Sequence, residues 1–220
     1  MMTMTNIKLY GTLLSPFVMR PVLVARAKGH DLPVEGFPGG IKSPDYLALS
    51  PIGKVPLLVH GDLALPESQV IADYLDSVLP GPALIPADPV AAARVRLLIR
   101  LADVYVVPNL TALFRGRETP DALPAALAAT GEALDYIEHF RDATHVHAHG
   151  DSFTQADAAL IPLFFLFDAM DSMVGSAKLV AERPGLLAWW TRAKASSLGS
   201  RAVAEQGEAM RAMMAARAQN

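Results

Sequence analysis

The chain has 220 residues, is 52% hydrophobic and 19% charged, and carries a formal net charge of −3. That balance supports a sizeable core and disfavours disorder, and the lack of a long basic run argues against a nucleic-acid or anionic-membrane surface. There is no cysteine, which excludes a disulfide, a thiolate metal site and a cysteine nucleophile, so any thiol chemistry must use a ligand's thiol.

The N-terminal run Met-Met-Thr-Met-Thr-Asn-Ile-Lys has neither a charged n-region nor an apolar h-region. No secretory signal is expected from it, and a cytoplasmic location is the expectation. The longest apolar stretch, Ala158 to Phe167, is too short for a membrane span and contains Pro162, so no membrane partner is expected.

Ile7 to Tyr10 reads as a short buried strand ending at Gly11. Ser15-Pro16 then opens a helix, with Ser15 as cap and Pro16 at the first helical position. Val18, Val22, Leu23 and Ala25 supply its core face, Pro21 is expected to kink it or to force a non-ideal first turn, and Gly29 stops it. Leu32 to Phe37 reads as a second strand and Gly39-Gly40 as a mobile loop. Ser43-Pro44-Asp45 starts a short helix through Leu49. Next comes the most informative stretch, Pro51 to Leu75. Gly53-Lys54 forms a turn before Val55-Pro56. Leu57 to His60 and Leu63 to Leu65 are apolar runs joined by Gly61-Asp62, a hairpin signal. Pro66-Glu67-Ser68 opens a helix with Val70, Ile71, Tyr74, Leu75 and Val78 at helical spacing. The order strand–helix–strand–helix–strand–strand–helix implies a small α/β layer domain with a mixed sheet.

Two groups in that stretch are free to meet a ligand. Pro56 has no N–H and holds Val55 extended, so the Val55 backbone can pair with an extended peptide as a sheet edge would. Glu67 and Ser68 sit where the first helical N–H groups point outward, a place for a carboxylate. The same residues also read, locally, as a hairpin followed by a capped helix.

Gly53-Lys54-Val55-Pro56, the hairpin, and Glu67-Ser68 before a helix resemble the glutathione-binding half of a cytosolic glutathione S-transferase. The Ser15-Pro-Phe-Val-Met-Arg run is similar to the active-site run of the serine-type members, bacterial ones among them. The resemblance covers nearly the whole chain. It implies a thioredoxin-like first domain, a cis Val55–Pro56 bond, glutathione as co-substrate, no metal, and a homodimer. It also implies glutathione contacts from Lys42, Lys54, Val55, Pro56, Glu67 and Ser68. Lys54 and Lys42 read equally as solvated lysines. Pro21, and Met19 where a second basic or polar residue is common, depart from the pattern.

Ser15 stands a quantitative test. A free thiol has a pKa of about 8.5, so only about 3% is thiolate at pH 7. Lowering it to about 6.5 needs roughly 2.7 kcal/mol. A hydroxyl hydrogen bond to an anion supplies roughly 1.5–3 kcal/mol, and a helix start adds roughly 0.3–2 kcal/mol. Ser15 would donate to the thiolate and not act as a base, since its own proton is too weakly acidic. Its other reading is a plain N-cap, and Thr12 is the backup hydroxyl.

Leu79 to Pro89 is a run of eleven residues with four prolines and marks a domain boundary. The expected division is 1–79, a linker at 80–88, and an all-helical domain at 89–220. Ala91 to Phe114 reads as one long helix kinked at Pro108. Asp121 caps the next, with Leu127, Leu134, Ile137 and Phe140 facing the core. Thr154-Gln-Ala-Asp157 is a capping box, with Phe153 placed to staple on Ala158, and the run after it is apolar nearly all round, as a buried central helix is. Trp189 and Trp190 read as packing residues. The Ala-, Met- and Arg-rich tail from Ser200 reads as helix. His145, His147 and His149 alternate, but solvated histidines in a loop are the preferred reading over a metal site.

The resemblance places an electrophile pocket between the domains, with Leu13, Tyr105, Pro108 and Asn109 as wall residues. Tyr105 reads either as a donor to the electrophile or as packing. The expected function is conjugation of glutathione to a small electrophile, in detoxification. A glutathione-dependent isomerase of the maleylacetoacetate or maleylpyruvate kind, or a non-catalytic binding protein on the same fold, are the alternatives. The Ser-Ser-Cys-type run of the maleylacetoacetate relatives is absent.

Overall fold

A computed structural model describes residues 7–116 and 120–218, so positions 1–6 of the N-terminal run read above lie outside the described residues. The chain divides into two units, Met1–Leu84 with Arg201–Asn220, and Ile85–Ser200.

In the first unit, β1 (Ile7–Tyr10), α1 (Pro16–Ala27), β2 (Val34–Glu35), α2 (Pro44–Leu49), β3 (Leu57–His60), β4 (Leu63–Pro66) and α3 (Ser68–Val78) follow in order. The sheet runs β2-β1-β3-β4, with β1 parallel to β2 and the other pairs antiparallel. This is the thioredoxin-like layout that the resemblance implies. Ile7 and Leu9 of β1 and Leu57 and Leu58 of β3 are buried, α1 packs on α3, and Val18, Val22 and Leu23 of α1 and Ile71 and Leu75 of α3 are buried as well. Strand β2 is shorter than the expected Leu32 to Phe37, only Val34 and Glu35 pairing with β1. Helix α1 runs on through Pro21, which has no N–H to offer the Phe17 carbonyl one turn back.

A buried ion pair closes this unit. Lys28 Nζ donates to Asp76 Oδ1 and to the Pro82 carbonyl, each at 2.8 Å, and the Leu84 N–H donates to the same carboxylate. The two side chains are 2% and 11% exposed. Removing one partner strands a charge in low dielectric, so Asp76→Ala is expected to destabilise by about 3–5 kcal/mol, while a Lys28→Met/Asp76→Leu pair should cost far less. Urea unfolding checks this, and equal midpoints for the single and double variants would contradict it. At the same C-terminal end of α1, Arg26 makes a bidentate pair with Glu205 at 2.7 and 2.9 Å. Asp31, held below the ordinary carboxylate range by its hydrogen bond from Arg201, joins the same network.

The second unit is helical: α4 (Pro89–Leu101), a π-turn at Ala102–Val106, α5 (Val107–Gly116), a 3₁₀ turn at Pro120–Ala122, α6 (Leu123–Phe140), α7 (Gln155–Val174), α8 (Ala177–Ala181), α9 (Pro184–Ala195) and the start of α10 (Ser197–Ala218). Two expectations change here. The bend foreseen at Pro108 is taken up as a wide turn, with the Val107 N–H reaching back to Ala102 O just ahead of the residue that cannot donate. Asp121 lies in the 3₁₀ turn, and Ala122 is the N-cap of α6. Joined through the π-turn, Pro89–Arg115 spans 27 residues and by length and composition could cross a membrane. It is a longer apolar stretch than Ala158 to Phe167, although its Val95, Leu98, Ala102, Val106 and Leu113 are buried within the protein.

Helix α7 is buried continuously from Gln155 to Phe167. Phe164 meets Trp189 edge-on at 4.9 Å and Trp190 at 5.8 Å, so both tryptophans are packing residues of this unit. The capping box forms as read, with Thr154 and Asp157 bonding reciprocally.

Candidate active site

Sheet register decides which loops share an end. Tyr10 pairs with Leu57 and with Glu35, and Leu57 pairs with Pro66. The chain therefore leaves β1, β2 and β4, and enters β3, at one end of the sheet. That brings together the segments holding Thr12, Leu13 and Ser15, then Lys42, then Lys54-Val55-Pro56, and Glu67-Ser68. Gly11 makes the first of these turns possible, because a Cβ there would lie 2.5 Å from Val18 Cγ2. The mouth of α1 thus sits directly against the strand end.

Ser15 is the N-cap of α1 by backbone, its carbonyl accepting from the Val18 and Met19 N–H groups at 3.0 Å. Its side chain makes no capping hydrogen bond. Ser43 and Asp88 also precede a proline at a helix start, and both do cap with their side chains, accepting from Tyr46 N–H at 3.2 Å and Ala91 N–H at 2.8 Å. The Ser15 hydroxyl, half-buried, is left for something other than its own helix. Thr12 is exposed, and its Oγ1 accepts from the Leu14 N–H at 3.4 Å.

The Val55–Pro56 bond is cis, as the resemblance implies. The turn before it is braced twice: the Tyr46 hydroxyl donates to the Lys54 carbonyl at 2.6 Å, and Lys42 Nζ donates to the Gly53 carbonyl at 3.1 Å. Lys54 is exposed. Lys42 is therefore a strut of this turn as well as a cation beside it. Glu67 takes φ 72° and ψ 112°, a region that costs a non-glycine residue roughly 1–3 kcal/mol. It is exposed, its side chain does not cap α3, and Ser68 behind it is buried. The first N–H groups of α3 are left without a side-chain cap, which suits an anion. Neither the Glu67 backbone nor the brace from Tyr46 was legible beforehand. The only available signal for Tyr46 was a lone phenol in a short helix just ahead of the Val-Pro pair.

Of the residues expected to wall an electrophile pocket, Leu13 belongs to the first unit and is half-buried. Tyr105, Pro108 and Asn109 belong to the second. Tyr105 is 46% exposed and meets Tyr136 edge-on at 5.3 Å. Tyr136 donates to Glu132, a hydrogen bond that pushes its phenol pKa up. The Asn109 amide donates to the Tyr105 and Ala129 carbonyls at 2.9 and 3.1 Å, tying the π-turn to α6. Pro108 is exposed. The histidine loop is folded over Arg141, whose Nη2 donates to the His145 and His147 carbonyls. His145 and His149 stack edge-on at 5.1 Å. Among the described residues no group of three or more His, Asp or Glu side chains is arranged to hold a metal.

A thioredoxin-like layer carrying a serine at the α1 mouth, a Val-cis-Pro turn and an uncapped α3, joined in sequence to an all-helical unit, defines the glutathione-dependent transferase class. Family comparison agrees. Residues 9–83 match the glutathione S-transferase N-terminal domain and residues 120–192 the C-terminal domain. Glutathione S-transferase 3 of Zea mays is 37% identical over 203 residues, covering 85% of this chain and 88% of that protein. The solved structure of glutathione S-transferase III in apo form superposes with a TM-score of 0.76 at 31% identity, covering 91% of this chain and 96% of the other. A stringent starvation protein A homolog of Coxiella burnetii is 30% identical over 171 residues, 73% of this chain and 80% of that protein. The chain belongs to the glutathione S-transferase family and is a glutathione transferase, with glutathione as co-substrate. The match to a maize protein lends no support to a specifically bacterial affinity.

Proposed function

We propose that this transferase is of the serine type, with Ser15 donating its hydroxyl hydrogen to the glutathione sulfur and holding it as thiolate. The observation that carries this is the Ser15 hydroxyl left out of its own helix cap, at the same sheet end as the Val55 turn and the start of α3. Val55 offers its main chain beside Pro56 to the extended tripeptide. At Glu67 and Ser68 the first N–H groups of α3 and the Ser68 hydroxyl receive one carboxylate, and Lys54, with Lys42, the other. The thiolate so held supplies the nucleophile for an electrophilic carbon, expelling a leaving group or adding to an activated alkene. Leu13, Tyr105, Pro108 and Asn109 are the residues assigned to the electrophile.

The same reading takes the protein as a cytoplasmic homodimer acting in detoxification, without metal, nucleic-acid or membrane partners, and with domains at 1–79 and 89–220 joined by 80–88. Its support is the family resemblance. A second reading, a non-catalytic binding protein, draws on the similarity to the starvation protein homolog. Calorimetry with glutathione, followed by a panel of aryl halides, enones and epoxides, separates the two. Binding with turnover on at least one electrophile is expected. Binding without turnover on any would favour the second reading, and no binding would overturn both.

A further inference from the structure

The Lys54–Val55 peptide is the piece of main chain that the tripeptide would pair with, and its orientation is set from inside the protein. In a trans peptide the C=O and N–H point in opposite directions, and the cis bond of this turn is the following one, Val55–Pro56. Tyr46 is fully buried and directs its hydroxyl at the Lys54 oxygen, 2.6 Å away. With that oxygen drawn inward, the Val55 N–H on the same peptide plane faces outward. Among the described residues the Val55 N–H donates to no backbone carbonyl. A donor on the carbonyl also polarises the peptide and makes its N–H a better donor in turn.

Tyr46 is itself held rigidly. Its ring meets Phe37 edge-on at 5.0 Å, and Phe37 meets Tyr10 edge-on at 5.0 Å. Tyr10 is the last residue of β1, from which the Ser15 loop departs. One aromatic column therefore links the strand end that carries Ser15 to the hydroxyl that sets the Val55 peptide. Burial raises the Tyr46 phenol pKa, so its hydroxyl stays a donor throughout the pH range of an assay.

We propose that Tyr46 is a positioning residue for glutathione, acting through the Lys54 carbonyl to present the Val55 N–H to the main chain of the tripeptide. The inference rests on the glutathione reading above and assigns Tyr46 no contact with the tripeptide.

The test is Tyr46→Phe, which removes one oxygen and keeps the ring. The KM for glutathione is expected to rise about five- to tenfold. S-methylglutathione, which lacks a thiol, should lose affinity by the same factor in calorimetry. At saturating glutathione kcat should stay within about twofold, and the pKa of the bound thiol should not move, which a general loosening of the fold would not reproduce. An unchanged KM, or a kcat that falls in step with affinity, overturns the proposal. If the variant does not fold, the wild type alone decides. Saturating S-methylglutathione should slow hydrogen exchange at the Val55 amide by about tenfold or more, and an unprotected Val55 amide overturns the proposal. A wild type that binds neither tripeptide removes the glutathione reading and this inference together. Binding that is equal in wild type and variant removes this inference alone.

Discussion

Ser15→Ala is expected to lower turnover at neutral pH by roughly 10- to 100-fold while glutathione still binds. A hydroxyl hydrogen bond to an anion is worth roughly 1.5–3 kcal/mol, and each 1.36 kcal/mol is about tenfold in rate or one pKa unit. The bonds assigned to Val55, Lys54, Glu67 and Ser68 do not involve the sulfur, so affinity should change little. The sign of the pH effect follows from which form loses its partner. Without the hydroxyl the thiolate is destabilised, the pKa of the bound thiol rises by about one to two units, and the acid limb of the rate profile moves to higher pH. Above that pKa the variant should recover much of its rate. The pH dependence of kcat and the thiolate absorbance of the complex check both. A variant with wild-type kcat and an unmoved thiol pKa would shift the role to another donor, and Thr12, exposed on the same loop, would be the first to examine.

A stability loss as large as that at the Lys28–Asp76 pair is expected at Asp157. This carboxylate is 1% exposed. Its Oδ1 accepts from the Ala148 N–H at 2.8 Å and from Trp189 Nε1 at 3.0 Å. Its Oδ2 accepts from the Thr154 N–H and hydroxyl, both at 3.0 Å. It thereby closes the capping box of α7, fixes the chain arriving from the histidine loop, and anchors the α9 indole. Asp157→Ala leaves several buried donors unsatisfied, each costing about 1–3 kcal/mol, and loses the cap. Destabilisation of about 3–5 kcal/mol is expected, near the whole stability of many domains. Asp157→Asn, which keeps one acceptor oxygen, should lose less. Chemical denaturation with tryptophan fluorescence reads both, since Trp189 reports directly on the site. A loss below about 1 kcal/mol for Asp157→Ala would mean that water or relaxation satisfies those donors.

Both sites were visible in advance to different depths. Ser15-Pro16 and Thr154-x-x-Asp157 are local signals, because capping chemistry acts over three or four residues and leaves its mark in the sequence itself. The third and fourth partners of Asp157, Ala148 in the preceding loop and Trp189 on α9, lie beyond the three or four residues over which capping acts, and no local pattern announces them. Strand β2 was read too long because Leu32 to Phe37 is apolar enough for a strand, whereas pairing with β1 needs a register that only two residues reach. Pro108 was expected to bend a single helix, since a proline's missing N–H is plain from sequence. That the helix would absorb it in a π-turn upstream depends on how α5 packs against α6.

By itself, the sequence determined the absence of a thiol nucleophile, the order of strands and helices in the first unit, the helix starts at Ser15 and Ser43, and the buried character of α7. These follow from composition, period and caps, which are properties of neighbouring residues. Only the tertiary structure decided that four loops leave one end of the sheet, that the Ser15 side chain stays out of its own cap while Ser43 and Asp88 enter theirs, and that Glu67 holds a positive φ. It alone placed the Tyr46 hydroxyl on the Lys54 carbonyl. Strand register, side-chain direction and backbone strain are set by contacts between segments distant in the chain, and their energies are not additive over local sequence.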